Sequence, residues 1–195
     1  AQVGVVLPTK DEPRWLQDEA VFKKAGYTPL FSQGDSAKEK ANVEALISQG
    51  IKVLIICPQD ASAAAATAEA ARAAGVKVIS YDRLIRDTAA VDYYVTFDSF
   101  AVGASWSQFL IEKAGATKGN NLYLYAGAAS DNNAFIFFEG AWETIQPKIA
   151  DGTFVMNCTP ITGGSPANVN VSYEYNMTGY PWRLIPTSGS TNLTV

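Results

Sequence analysis

The 195 residues are 48% hydrophobic and 17% charged, which permits a sizeable buried core and excludes a disordered chain. Fifteen Lys and Arg against 19 Asp and Glu leave a net charge of -4 with no basic run, so nucleic acid is not an expected partner. Histidine is absent, which removes the commonest general base and the commonest metal ligand, and neither a metal nor a cofactor is expected.

Val3-Gly4-Val5-Val6-Leu7 is an apolar run ended by Pro8, the pattern of a buried parallel strand. Arg14 to Ala25 follows with near-helical apolar spacing, and Gly26 is placed to stop it. Tyr27 to Phe31 reads as a second strand. Ser36-Ala37-Lys38-Glu39 has capping-box spacing, and the helix behind it carries Val43, Leu46 and Ile47 on one face before Gly50. Val53 to Cys57 is a third strand, Ala61 to Ala74 an alanine-rich helix, and Val76 to Ser80 a fourth strand. Strand starts recur at Val3, Thr28, Val53 and Lys77, the repeat of successive βα units. That alternation predicts an α/β fold with a doubly wound parallel sheet. Tyr93 to Phe97 is a fifth strand, and Ser99 to Ala114 a helix stopped by Gly115.

Lys118-Gly119-Asn120-Asn121 is a polar break, and a domain boundary is expected there. Beyond it come a strand at Leu122–Tyr125, a helix running to about Lys148 with Pro147 in its last turn, and a strand at Phe154–Met156. The expected organisation is a first α/β domain over 1–117, the start of an incomplete second α/β domain over 118–158, and an irregular or β tail over 159–195. That tail is rich in Gly, Ser, Thr, Pro and Asn, with Glu174 and Arg183 as its only charges and one strand-like alternation over Val169–Tyr175. Its sequons, together with the one at Asn157, start at Asn157, Asn170, Asn176 and Asn192, and a Ser/Thr/Asn-rich composition produces these by chance. Cys57 ends an apolar run and reads as a small buried hydrophobe; pairing with Cys158 stays open. No apolar stretch approaches the roughly 20 residues that span a bilayer. The chain opens on Ala1 with a strand under way at Val3, which fits a removed leader or a cut at that point.

In a doubly wound sheet, ligands bind outside the carboxyl ends of the strands. The residues there are Lys10, Arg14 and Trp15 after strand one, Gln59 and Asp60 after strand three, Asp82 and Arg83 after strand four, Asp98 after strand five, and Asp131, Asn132 and Asn133 in the second unit. Carboxylates, amides and guanidinium forks suit hydroxyls that both donate and accept, and an aromatic such as Trp15 suits a sugar's C–H face. A plain structural reading stands beside this one. Asp82 and Arg83 form an ion pair closing a loop, and Asp131 or Asn132 caps the helix that follows. No phosphate-cradling glycine motif and no nucleophile elbow is present. Two carboxylates on one rim could serve a glycosidase, but a carboxylate beside an arginine is a poor general acid, so binding without turnover is expected.

Pro8-Thr9-Lys10 followed by Arg14-Trp15, then Gly50-Ile51-Lys52-Val53-Leu54, Tyr81-Asp82-Arg83-Leu84-Ile85, Thr96-Phe97-Asp98 and Ser130-Asp131-Asn132-Asn133-Ala134 together resemble the periplasmic sugar-binding proteins of bacterial ABC importers, of xylose-, multiple-sugar- and ribose-binding type. The resemblance covers residues 3 to about 156. It implies two α/β domains joined by hinge strands and closing over one monosaccharide, pentose or hexose, for import or sensing. Lys10, Arg14, Trp15, Asp82 and Arg83 would contact sugar from the first domain and Asp131, Asn132 and Asn133 from the second, with Asp98 near the hinge and Gln59 a weaker contact. An ABC permease or membrane sensor would be the partner, and the location periplasmic or extracellular, with a lipid anchor as one form of it. Pro181-Trp182-Arg183-Leu184-Ile185-Pro186 faintly resembles the family's last hinge crossing, which leaves most of the second domain missing between about Cys158 and Pro181. The alternative is a half-receptor that acts as an interaction or sensor module, self-associating through the incomplete domain. The effector domain of LacI-type repressors shares the fold but works with a DNA-binding headpiece, and these residues hold none.

Overall fold

The computed structural model describes residues 2–114, 118–124 and 126–156, and the backbone of 171–174 and 183–186. The chain divides into two compact units, Ala1–Ser99 with Gly127–Ile136, and Phe100–Ala126 with Phe137–Val195.

The first unit is a five-stranded parallel sheet in the order β2-β1-β3-β4-β5. Its strands are β1 (Val3–Leu7), β2 (Leu30–Phe31), β3 (Val53–Ile56), β4 (Lys77–Tyr81) and β5 (Tyr93–Val95), with helices α1 (Pro13–Lys24), α2 (Ser36–Ser48) and α3 (Ala64–Ala73) between them. Alternation along β1 separates the two sheet faces. Val6 joins Val43, Leu46, Leu54, Ile56, Ala68 and Val78 in one core, while Val5 and Leu7 join Trp15, Phe31 and Cys57 in the other. Each fully buried aliphatic side chain contributes about 1.5–3 kcal/mol. Gly4 is required by this packing, because a Cβ there would lie 2.9 Å from Leu46 Cδ1 and 3.0 Å from Ile51 Cδ1.

Several element ends differ from the sequence reading, β5 among them, which stops at Val95 rather than Phe97. β2 is confined to Leu30–Phe31, since Pro29 has no N–H to give a ladder. α3 starts at Ala64, because Asp60 Oδ1 accepts the N–H groups of Ser62 (3.0 Å) and Ala63 (2.7 Å) in a turn ahead of it. The Ser36–Glu39 capping box does not form. Asp35 is the N-cap of α2, its Oδ1 accepting from Ala37 N (2.7 Å) and Lys38 N (3.1 Å), and Glu39 turns inward instead. Asp35→Ala is expected to lower stability by about 1 kcal/mol, read as a shifted urea midpoint at unchanged slope.

In the second unit β6 (Asn120–Leu122) and β7 (Phe154–Met156) pair in parallel around α5 (Asn132–Ala150), after α4 (Ser99–Ala114). Leu122, Ile145 and Phe154 form its core, flanked by Leu110, Ile111 and Trp142. β6 starts at Asn120, earlier than the expected Leu122, since Asn120 N already reaches Thr153 O (3.2 Å). Pro147 lies in the last turn of α5, as the sequence predicts. Helices α4 and α5 touch backbone to backbone: a Cβ on Gly103 would collide with the Phe137 carbonyl, and one on Gly140 with the Phe100 carbonyl. β8 (Val171–Glu174) and β9 (Arg183–Pro186) form a separate antiparallel pair. Cys158, the four sequons' asparagines Asn157, Asn170, Asn176 and Asn192, and Gly115 lie outside the described residues.

Candidate functional site

The strand order places a topological switch between β1 and β3, since the chain winds one way from β1 to β2 and the other way from β3 to β5. A crevice opens at such a point outside the carboxyl ends. The start of α1 after β1, the loop after β3 and the residues after β4 all converge there. Gly127–Ile136 packs with this first unit, so Asp131, Asn132 and Asn133, expected on a second domain, stand beside Asp82 and Arg83.

Asp82 is the pivot. Its φ of 65° is left-handed for a non-glycine residue, and Arg83 N donates back to Tyr81 O at 2.8 Å, closing a tight turn around it. Such a conformation persists only where neighbours over-determine it. Here Asp82 N donates to Val95 O (2.7 Å), and Asp82 O accepts from Thr96 Oγ1 (2.8 Å), Asn133 Nδ2 (3.0 Å) and Tyr94 Oη (3.2 Å). Below it the Ser80 hydroxyl donates to Arg83 O (2.6 Å) and accepts from Ile85 N (3.0 Å).

The turn sends the two adjacent side chains to different partners. Asp82, 5% exposed, takes Arg14 Nη1 at 2.9 Å. Arg83 Nε lies 3.1 Å from Asp131 Oδ2. Asp82 and Arg83 therefore do not close the loop on each other. Arg83 Nε–H is not aimed at its carboxylate partner and has no aligned acceptor among the described residues, although the nitrogen is buried. For Arg14 burial opposes the charge, but Asp82, by attraction and hydrogen bond, and Asp18 outweigh it and raise the pKa. Burial raises that of Asp131, against the pull of Arg83. Asp131 is also a helix cap, its Oδ1 accepting from Asn133 N at 2.9 Å ahead of α5 while its Oδ2 faces Arg83. Asn133 is buried, donating to Asp82 O and accepting from Tyr94 Oη at 3.3 Å. Asn132 is buried in the first turn of α5.

Trp15 is 1% exposed, with its indole N–H on Glu12 Oε2 at 2.9 Å. Its ring carries the Arg14 guanidinium at 4.6 Å and that of Arg83 at 5.5 Å, so it serves as the floor of both arginines and presents no open face. Phe97 is the exposed aromatic at this rim, 62% open, with Arg14 5.4 Å from its ring centre. In the sequence Phe97 stands inside Thr96-Phe97-Asp98 with nothing to assign it a role; its place just past the end of β5 is the one signal it carries. Lys10 is exposed and turned toward Glu19 (3.4 Å) and the Phe31 ring (4.6 Å). Gln59 is half-buried, with its N–H held by Glu39. Asp98 is exposed and immediately precedes α4. Burial pushes the Cys57 thiol up, leaving it a small buried free thiol.

A family described as periplasmic binding protein domain matches residues 3–174. The chain belongs to the periplasmic binding protein family. The multiple sugar-binding periplasmic receptor ChvE of Rhizobium radiobacter is 37% identical, over 79% of this chain and 46% of its own length. The D-xylose-binding periplasmic protein of Escherichia coli is 28% identical, over 77% of this chain and 46% of its own length. Among solved structures, a carbohydrate transporter solute binding protein from Chloroflexus aurantiacus in complex with D-glucose is 73% identical with a TM-score of 0.75, covering 80% of this chain and 47% of that one. An ABC transporter solute binding protein from Clostridium phytofermentans with bound β-D-glucose is 36% identical with a TM-score of 0.73, covering 79% and 50%. The chain thus spans about half the length of the relatives it matches. Among the described residues no cluster of His, Cys, Asp and Glu could hold a metal ion, and no helix is long and apolar enough to cross a membrane.

Proposed function

We propose that this chain grips a monosaccharide at the β1/β3 switch point, as part of an extracytoplasmic solute-binding protein that serves ABC import or sugar sensing without catalysis. Arg14, Asp82, Arg83 and Asp131 are the polar contacts, Asn133 holds the Asp82 carbonyl, and Phe97 offers the apolar face. Lys10, Gln59 and Asn132 complete the rim. The periplasm or cell exterior is the compartment, and a permease or membrane sensor the partner.

The observation that carries this reading is the crossed pair of ion pairs. Each cation on the rim has its own carboxylate, so a neutral ligand meets fixed donors and acceptors with no net charge to compensate. Among the described residues the buried Arg83 Nε–H has no aligned acceptor, and a sugar oxygen would supply one. The likeness to proteins with bound glucose supports the same ligand class.

Calorimetric titration with D-glucose, D-xylose, L-arabinose, D-galactose and D-ribose tests it. At least one sugar is expected to bind, with Kd on the order of 1 mM or tighter. No heat with any of them at that concentration would reject the proposal.

A further inference from the structure

Glu39 is the most deeply buried charged side chain among the described residues, 1% exposed, yet it lies on α2 and outside the rim. A buried carboxyl is costly unless bonded. Its service here is not to its own helix, since Asp35 already caps α2. Glu39 Oε2 instead accepts the backbone N–H of Gln59 at 2.6 Å, bridging α2 to the loop after β3.

That loop is a junction. Ala61 N donates to Ser130 O (2.9 Å), next to Asp131. Ala61 O accepts from Arg86 N (2.8 Å), and Ser62 Oγ donates to Asp87 Oδ2 (2.6 Å), both in the segment that follows Arg83. One short loop therefore registers the segments carrying Arg83 and Asp131.

We propose that Glu39 is a positioning residue for sugar binding: by holding the Gln59 amide it sets the β3–α3 loop, and through it the placement of Arg83 and Asp131. The inference rests on the sugar-binding reading above. The charged groups facing Glu39 are Asp60, from the loop after β3, and Arg83, from the turn after β4. Burial raises the Glu39 pKa to about 7, opposed by the Gln59 N–H; Asp60 adds to the rise and Arg83 works against it. Its charge therefore changes across neutral pH. The ionised form takes the Gln59 N–H more strongly, so affinity rises as pH is raised through this value.

The test titrates D-glucose into the 195-residue chain and into Glu39→Gln and Glu39→Ala at about pH 6 and about pH 8, on either side of the Glu39 midpoint. The amide signal of Gln59 and the Nε–H signal of Arg83 are followed by NMR in the sugar-free protein. Glutamine keeps an acceptor of the same shape, so Glu39→Gln is expected within about threefold of wild type, with no pH dependence. Glu39→Ala is expected to bind about tenfold more weakly or worse. In wild type both signals titrate together near neutral pH. Wild-type affinity in Glu39→Ala, or an unchanged pH profile in Glu39→Gln, would overturn the inference; the second decides if the alanine variant does not fold. Absence of heat from wild type with both signals still titrating would sink the sugar reading and leave the Glu39–Arg83 link standing. Silent signals would sink the link itself.

Discussion

Arg83→Ala is expected to abolish measurable glucose binding while the chain still folds. The guanidinium is a planar fork over Trp15 whose Nε–H has no aligned acceptor among the described residues. A hydrogen bond from a charged donor contributes about 1.5–3 kcal/mol, and the truncated side chain offers the sugar none. Asp131, a half-buried carboxyl whose pKa burial raises, loses at the same time the cation that pulls it down. An affinity loss of about 10- to 100-fold follows, which carries a millimolar Kd out of calorimetric range. The fold survives because the turn around Asp82 is held by backbone and side-chain bonds that do not use the Arg83 guanidinium. Arg83→Lys should recover part of the charge term without the fork geometry, and fall between the two. Calorimetry with circular dichroism on the same samples reads both quantities. Wild-type affinity in Arg83→Ala would remove this residue from the site.

Gly103→Ala should cause the largest loss of stability among single methyl additions in the second unit. The new Cβ would meet the carbonyl oxygen, carbonyl carbon and Cα of Phe137, all backbone, so no flexible side-chain end can move aside. Helices α4 and α5 must separate, and the Trp106–Phe137 ring contact at 5.0 Å goes with them. Overpacking of this kind costs about 1–3 kcal/mol or more. Gly140→Ala meets the Phe100 carbonyl and should behave alike. Hydrogen exchange locates the effect. Amides of α5 beyond Phe137 should lose protection while those of β3 and β4 keep it. A variant that exchanges and melts like wild type would refute the close helix crossing.

The first unit was legible because its code is local. Short apolar runs such as Val53 to Ile56, rich in β-branched residues and bounded by turn signals, read as parallel strands, and the alanine-rich or amphipathic stretches between them as crossover helices. Where the sequence misled, a local competitor was at work. Pro29 cut β2 short, and Asp35 outbid Ser36 for the start of α2. The rim was legible for the same topological reason: residues just past parallel strands face one crevice whatever their identity. Arg14, Asp82, Arg83 and Asp131 do meet there.

How they meet was not legible. Adjacent Asp and Arg suggested one pair, but the left-handed turn at Asp82 splits them between Arg14, far back in the sequence, and Asp131, far ahead. Trp15, the aromatic the sequence offers for a sugar's C–H face, is a buried floor, while Phe97 takes the exposed position. Glu39 passed as half of a capping box and serves a different loop. Periodicity and turn chemistry, acting between near neighbours, determined the strands, the helices and the edge of the sheet where a ligand could lie. Partner choice among charged groups was decided by tertiary structure alone. It depends on which distant backbone bonds hold Asp82 in its left-handed turn, and on which carboxyl is buried deeply enough to need a particular donor.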